Sequence, residues 1–510
     1  MSNKKKLFVN LITTLIVLII NIFINFGLSS YIVENIGEEA YGFISLANNF
    51  VSYATIFTMA INSMSSRFIT IDIHKKNYDS ANKYFSSVLI ANIIIVLLLI
   101  VPSIIFILYL DLIIKVPVDI MLDVKLLFTF IFLNFFVTLF GGVFTIATYC
   151  TNMLYLSSIK NLESIIIKAI AILIMFMLFK PAVFYVGIAT LISSVFVVFW
   201  NIKFTKRLLP DIKIKKSNFS ISKIKTLLSS GLWNSLTNLG NVLADGLDLI
   251  ITNLMINPSS MGLVAIAKIP SNVFNTVLSH ITNVFQPQVI SYYSKDDFSG
   301  VVSETKKGMR ICGLFGNIPF AYIIVFGFFF CDIWMSNVDI NSLNILIKIT
   351  FINIFVSGIT GPLYNLFTIT NNVKFVAILN ILCGIISTSL VFLFLKITNL
   401  GAYAVVGIST LIWLIKGFVI VPIYAAKCLN QNKTTFILEI IKYCFFTFVI
   451  CVFYYLIRII FVPSNWLEIF VSVIICGLIG ILINILLLFN SNDRIEFMKI
   501  LNSRLKKNKL

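Results

Sequence analysis

Residues 226–256 read TLLSSGLWNSLTNLGNVLADGLDLIITNLMI, and residues 261–285 read MGLVAIAKIPSNVFNTVLSHITNVF. Each is long and apolar enough to cross a bilayer, which takes about 20 residues of helix. Yet the first carries Asn234, Asn238, Asn241, Asp245 and Asp248, at spacings of 4, 3, 4 and 3. At about 100° per residue these side chains share an arc of roughly 80°. The second carries Lys268, Asn272, Asn275, Ser279 and Asn283, again on one narrow face. Asn257-Pro258-Ser259-Ser260 is the turn between them. The two acids lie about ten residues before that turn and the lysine about ten after it, so they share a depth. One Asp or Lys facing lipid at a helix centre costs roughly 2.5–3.5 kcal/mol, and three would cost about 8–10 kcal/mol. The stripes therefore face protein or water. An ion pair with amide hydrogen bonds would suffice to hold helices together. Two long collinear stripes exceed that need and point to the wet wall of a transport cavity.

The rest of the chain has the same character. Of its 510 residues 59% are hydrophobic and 12% charged, with a mean hydropathy of +1.00. That composition specifies a multi-spanning membrane protein rather than a set of soluble domains. Met1-Ser2-Asn3-Lys4-Lys5-Lys6 precedes a long apolar run without a small-residue cleavage site, so that run reads as a first span. The eight cysteines form no CxxC pair, and the only histidines are His74 and His280. This pattern supports neither a disulfide framework, nor a zinc site, nor a His-rich metal centre. No Walker A sequence is present, so ATP is not the direct drive.

About fourteen spans of bilayer length succeed one another. They cover roughly 7–33, 41–66, 84–110, 125–150, 163–180, 182–202, 226–256, 261–285, 309–331, 343–370, 374–396, 401–425, 436–461 and 467–489. Alternate loops differ sharply in charge. One set, with both termini, holds 29 of the 39 basic residues, while the other holds only Lys115, Lys125, Lys180, Lys396 and Arg458. The positive-inside rule places both termini in the cytoplasm. The net charge of +18 is thus a topological signal that meets anionic headgroups, not nucleic acid. The outer loops are short, the longest being 111–124. The basic segment 203–225, which contains Pro210, reads as a cytoplasmic linker.

The chain also repeats itself at an offset near 220. VGIATLI at 186–192 matches VGISTLI at 406–412 in six of seven positions. The same offset pairs Gly42 with Gly262, Asn25 with Asp245, Asn21 with Asn241, Thr14 with Asn234, Asn48 with Lys268 and Ser52 with Asn272. Shifted by one, Asn134 meets Asn353 and Asn152 meets Asn371. Span 1 therefore has a stripe of Asn10, Thr14, Asn21 and Asn25, and span 2 one of Asn48, Ser52, Thr55, Asn62 and Ser66. An even number of spans separates the copies, so the repeat is parallel and a substrate path lies between its halves. The expected architecture is all-α: an N-terminal lobe at 1–202, the linker at 203–225, a C-terminal lobe at 226–425, two extra helices within 436–489 and a basic cytoplasmic tail at 490–510. Spans 1, 2, 7 and 8 should line the cleft.

Two six-helix lobes with polar first and second helices, plus two extra helices, resemble the MOP exporter superfamily. Tyr41-Gly42-Phe43, the polar second span ending in Ser65-Ser66-Arg67 and the Lys-rich loop after it look like the polysaccharide transporters of that superfamily, the Wzx-type flippases of O-antigen and capsule repeat units. The resemblance implies a non-enzymatic protein of the bacterial cytoplasmic membrane. It would move a polyprenyl-diphosphate-linked oligosaccharide from the cytoplasmic to the outer leaflet before polymerisation, by alternating access, alongside other polysaccharide assembly proteins. Elementary chemistry agrees. A sugar head with a pyrophosphate cannot cross hydrocarbon unaided and needs amides and hydroxyls for the sugars and cations for the phosphates. Asn21, Asn25, Asn48, Asn62, Asn234, Asn238, Asn241, Asn272 and Asn275 are the candidate amides; Arg67, Lys168, Lys268 and Lys416 are the candidate cations.

Related flippases of the cell-wall precursor hold a cation between the first and fifth helices of the second lobe. Here the first supplies Asp245 and Asp248, but the fifth supplies only Asn380, Ser387 and Thr388. The two acids are the candidate coupling site, for sodium or for a proton carried on a buried carboxyl; no other cofactor is expected. Rival readings are another exporter of the superfamily, for the peptidoglycan precursor or for drugs, and a membrane glycosyltransferase or polymerase. Drug exporters favour acidic cavities over Arg67 and Lys416. Enzymes of the latter kind need acid–base groups on sizeable outer loops, which this chain lacks.

Overall fold

The computed structural model describes residues 3–489, apart from the side chains of residues 3–8, 11, 12, 14, 15 and 245. The tail expected at 490–510 and the side chains of Thr14 and Asp245 lie outside the described residues. Every regular element among those described is helical. Among the described residues twelve helices are long and apolar enough to cross a membrane. Spans 1 and 2 form one run, Asn3–His74, folded back at Gly37, whose φ of 84° and ψ of 164° suit only a residue without a Cβ. Span 7 is interrupted: Ile221–Asn241 is α-helical, Val242–Gly246 is a π turn, and Asp248–Met255 resumes the α-helix. Counting two crossings in the first run and adding the interrupted one recovers the number expected from the sequence.

The internal repeat is visible in the helix boundaries. Leu154–Leu178 and Val373–Ile397 are offset by 219 residues at both ends. Tyr78–Leu108 and Phe298–Trp334 begin 220 apart. Asn77 caps the former by accepting from the Ser80 N–H, and Asp297 caps the latter by accepting from the Gly300 N–H. The residue before each cap, Lys76 or Asp296, is left-handed at φ 58° and 56°, and so are Asn152 and Asn371 at 54° and 56°. Asn and Asp tolerate that conformation better than other side chains. The same turn chemistry closes the same loop in both copies.

The chain forms two compact units. The first takes everything up to Ala265 and returns for Ala377–Thr388; the second takes Ile266–Val376 and the chain from Ser389 onward. Glycines show why 377–388 joins the first unit. A Cβ on Gly384 would lie 2.6 Å from Leu243 Cβ, and one on Gly240 would lie 2.6 Å from the Asn380 carbonyl carbon. Only small residues let the backbones of spans 7 and 11 approach so closely. The core at the basic-loop end packs Phe85, Phe144, Ile69 and Leu227. The linker is shorter than expected, since helix continues to Leu208 and resumes at Ile221. It is strapped to span 3: Lys213 N–H donates to Asn82 Oδ1 at 2.7 Å and Ser220 N–H to Ser87 Oγ at 2.8 Å.

In the second unit spans 9 and 10 touch at Gly316 and Gly358, where a Cβ on Gly358 would lie 2.7 Å from Gly316 Cα. The two extra helices, Ile437–Ile460 and Trp466–Ile483, dock on span 9. Three polar pairs hold this seam. Arg310 faces Glu439 at 3.3 Å, Asn317 donates to Asn484 Oδ1 at 2.8 Å, and the Tyr322 and Ser472 hydroxyls lie 2.7 Å apart. All are buried.

Candidate functional site

In the first unit the span 7 stripe lies along span 2. Asn234 Nδ2 donates to Ser63 Oγ at 3.2 Å and Asn238 Nδ2 to Thr55 Oγ1 at 3.5 Å. A π turn interrupts the span between Asn241 and Asp248. Beyond it Asp248 is only 3% exposed. The turn also frees the Gly246 carbonyl, which accepts from Asn49 Nδ2 at 3.1 Å and Tyr53 OH at 2.5 Å. Beyond it Asn253 is fully buried and grips the loop at Lys115, accepting from its N–H at 2.8 Å and donating to its carbonyl at 2.9 Å.

The remaining first-unit candidates divide by exposure. Asn25, Asn48, Asn241 and Arg67 are exposed, while Asn21 and Asn62 are half-buried. Asn25 donates to Asn21, and Asn241 Oδ1 accepts from Asn380 Nδ2 at 2.9 Å. Asn62 turns inward and exchanges amide hydrogen bonds with Asn92, both at 3.1 Å. Asn10 grips the turn after span 4, donating to Asn152 Oδ1 at 3.0 Å and accepting from the Tyr155 N–H at 2.9 Å. Where the turns of spans 1–2 and 7–8 meet, Ser259 Oγ donates to Glu38, and the repeat-related Gly42 and Gly262 meet face to face. A Cβ on Gly42 would come 2.9 Å from Gly262 Cα.

In the second unit the part of Pro258–Tyr293 beyond Ala265 keeps its stripe. Asn272, Asn275, Ser279 and Asn283 are exposed or half-buried along it, and Lys268 is half-buried. On this face opens a cavity of about 290 Å³ between spans 8, 10 and 12. Asn275, Ser279 and Asn283 reach it from span 8, Thr360, Tyr364 and Asn365 from span 10, and Trp413 from span 12. Of the other expected cations, Lys168 in Leu154–Leu178 of the first unit is half-buried and Lys416 is 2% exposed. It begins a second π turn, Lys416–Ile420, and its ammonium sits 3.3 Å from the centroid of the Trp413 ring, a cation–π contact. Sequence reasoning missed Tyr364 and Trp413, because an aromatic residue in an apolar span reads equally as core or lipid face. The polar set Thr360 and Asn365 on span 10 was the available signal.

Comparisons with known proteins converge on one group. Residues 7–291 match the family described as polysaccharide biosynthesis protein. An uncharacterized membrane protein of Bacillus subtilis (strain 168), EpsK, is 27% identical over 440 residues, covering 86% of each chain. Among solved structures, the lipid II flippase MurJ in an inward closed conformation superposes with a TM-score of 0.67 at 14% identity, over 93% of this chain and 97% of that one. An inward-facing multidrug resistance MATE transporter of the MOP superfamily gives 0.66 at 14% identity, over 82% and 99%. At these identities the structures establish a shared fold.

Proposed function

This chain belongs to the polysaccharide biosynthesis protein family, and from that premise and the MOP-type fold we propose that it is a flippase for a polyprenyl-diphosphate-linked oligosaccharide. It acts in the bacterial cytoplasmic membrane, with both termini inside, and delivers its substrate to the assembly of a surface polysaccharide. The observation that carries this reading is the 258–293 helix, whose Asn272, Asn275, Ser279 and Asn283 remain accessible along one face of a membrane-length segment. Amides and hydroxyls on such a face need polar partners, since lipid supplies none. A sugar chain offers them in series, because each hydroxyl both donates and accepts, as each Asn amide does. Arg67, exposed at the basic-loop end of span 2, and Lys268 supply cations for the diphosphate.

Alternating access is driven in this reading by a proton or sodium ion at Asp245 and Asp248. Lys268→Ala and Asp245→Asn separate a transport role from a structural one. The reading expects both variants at near-normal abundance without surface polysaccharide, and partial activity in Lys268→Arg, which keeps a phosphate-binding cation. Normal polysaccharide in both single variants at wild-type expression would remove these residues from the mechanism.

A further inference from the structure

The cavity between spans 8, 10 and 12 adds aromatic rings to the amides of the span 8 stripe. Two aromatic rings, Tyr364 and Trp413, share about 290 Å³ with the amides of Asn275, Asn283 and Asn365 and the hydroxyl of Thr360. That is near the lower end of the roughly 300–1,000 Å³ of ligand pockets. Among the described residues no acidic or basic side chain lines it. An organic cation would want a carboxylate there, and an acyl chain would want no amides. An aromatic ring beside neutral groups that both donate and accept fits a sugar ring, which presents an apolar C–H face and a rim of hydroxyls.

Further observations concern the walls. Thr410 is 3% exposed, and its Oγ1 is buried without a hydrogen-bond partner; Asn353 Oδ1 is likewise buried and unpartnered. Thr410 stands three residues before Trp413 and seven before Gly417; Asn353 stands four before Ser357 and seven before Thr360. At helical spacing both fall on the faces that line the cavity, about one turn beyond it. A buried polar atom without a partner is costly, and these two lie one helical turn beyond the cavity's walls. The Lys416 ammonium against the Trp413 ring holds that ring in place. The cavity also sits towards the basic-loop end, since Asn365 lies four residues before the end of Ile340–Ile369, about 6 Å along the axis.

We propose that this cavity is a monosaccharide subsite that takes one neutral pyranose ring of the transported glycan against Trp413 and Tyr364, with Asn275, Asn283 and Asn365 reading its hydroxyls. The proposal rests on the glycolipid-flippase reading and deepens it. One sugar is held in the second unit while the diphosphate engages cations elsewhere, so selection among glycans belongs to spans 8, 10 and 12.

The test is saturation-transfer-difference NMR on the full chain in nanodiscs, with cellobiose, maltose and N,N′-diacetylchitobiose as probes. The subsite predicts saturation transfer to at least one disaccharide. Trp413→Ala should weaken it by about three- to tenfold, and Trp413→Phe, which keeps a stacking plane and controls for folding, should retain most of it. No transfer to any probe, or transfer in Trp413→Ala and Asn275→Ala as strong as in the unaltered chain, would overturn the subsite. Deleting the gene for the chain tests the flippase reading separately. Unchanged surface polysaccharide with intact, Trp413-dependent transfer would overturn the flippase and leave the sugar site standing.

Discussion

Gly42→Ala probes how closely spans 2 and 8 must meet. The new methyl carbon would lie 2.8 Å from Met261 Cε, 2.9 Å from Gly262 Cα and 3.0 Å from Gly262 N. The methionine tip can swing away, but the Gly262 backbone cannot. Ordinary carbon contacts sit at about 3.5–4.0 Å, so the two backbones must part by something under about 1 Å. Overpacking of this kind costs about 1–3 kcal/mol. Set against an equilibrium between joined and parted forms, that is a shift of roughly 5- to 150-fold. Ala47 and Val264 have no exposed surface beside this crossing. In a background without the eight native cysteines, a single cysteine at either position should react with a water-soluble maleimide faster in Gly42→Ala, by a factor in that range. Gly262→Ala should act the same way, since its Cβ would come 2.6 Å from the Glu38 carbonyl carbon. The two substitutions force apart the same crossing and should not add in full. Unchanged rates in well-expressed Gly42→Ala would show that the crossing tolerates separation and would refute the reasoning.

Glu439→Gln leaves the buried Arg310 guanidinium without the carboxylate that faces it at 3.3 Å. Breaking such a pair costs on the order of 3–5 kcal/mol. Thermal unfolding of purified protein should show the loss, and Arg310→Met with Glu439→Leu should recover most of it. Burial above all, then Asp119 and Glu38, holds the Glu39 carboxyl at the turn between spans 1 and 2 above its ordinary 4.5. The folded state binds that proton more tightly than the unfolded one, so stability falls as pH rises from about 4.5 through the raised value. Glu39→Gln should flatten that part of the stability profile, and an unchanged profile would exclude Glu39 as its source. For topology, Asp119→Cys should react with an impermeant thiol reagent in intact cells while Lys213→Cys should not; the reverse pattern would invert the membrane orientation.

Much of this molecule was legible in the sequence because bilayer length and loop charge leave few alternatives. The 219–220 offset, first seen in Gly42 with Gly262 and VGIATLI with VGISTLI, reappears in helix ends and in the left-handed pairs Lys76 with Asp296 and Asn152 with Asn371. Local chemistry carries such features, since a cap or a left-handed turn is decided by two or three neighbouring residues. The π turns at Val242–Gly246 and Lys416–Ile420 were not legible. The same side chains suit i→i+4 and i→i+5 bonding, and what selects the wider turn at Gly246 is a partner far along the chain, Asn49 with Tyr53. The roles of the amides were half legible. Periodicity put Asn62, Asn234 and Asn272 on polar faces, but only the neighbouring helix decides whether an amide pairs, as Asn62 does with Asn92 and Asn234 with Ser63, or stays accessible, as Asn272 does.

The most direct test of glycolipid translocation uses the purified chain in sealed liposomes that contain a polyprenyl-diphosphate-linked oligosaccharide with a fluorescent sugar. An impermeant glycosidase added outside cleaves only substrate in the outer leaflet. With the chain present and an ion gradient imposed, cleavage should continue beyond the initial outer-leaflet share until the inner pool is consumed, and Lys268→Ala should stop it at that share. Cleavage that halts at the same point with the active chain as in protein-free liposomes, under both proton and sodium gradients, would contradict the account.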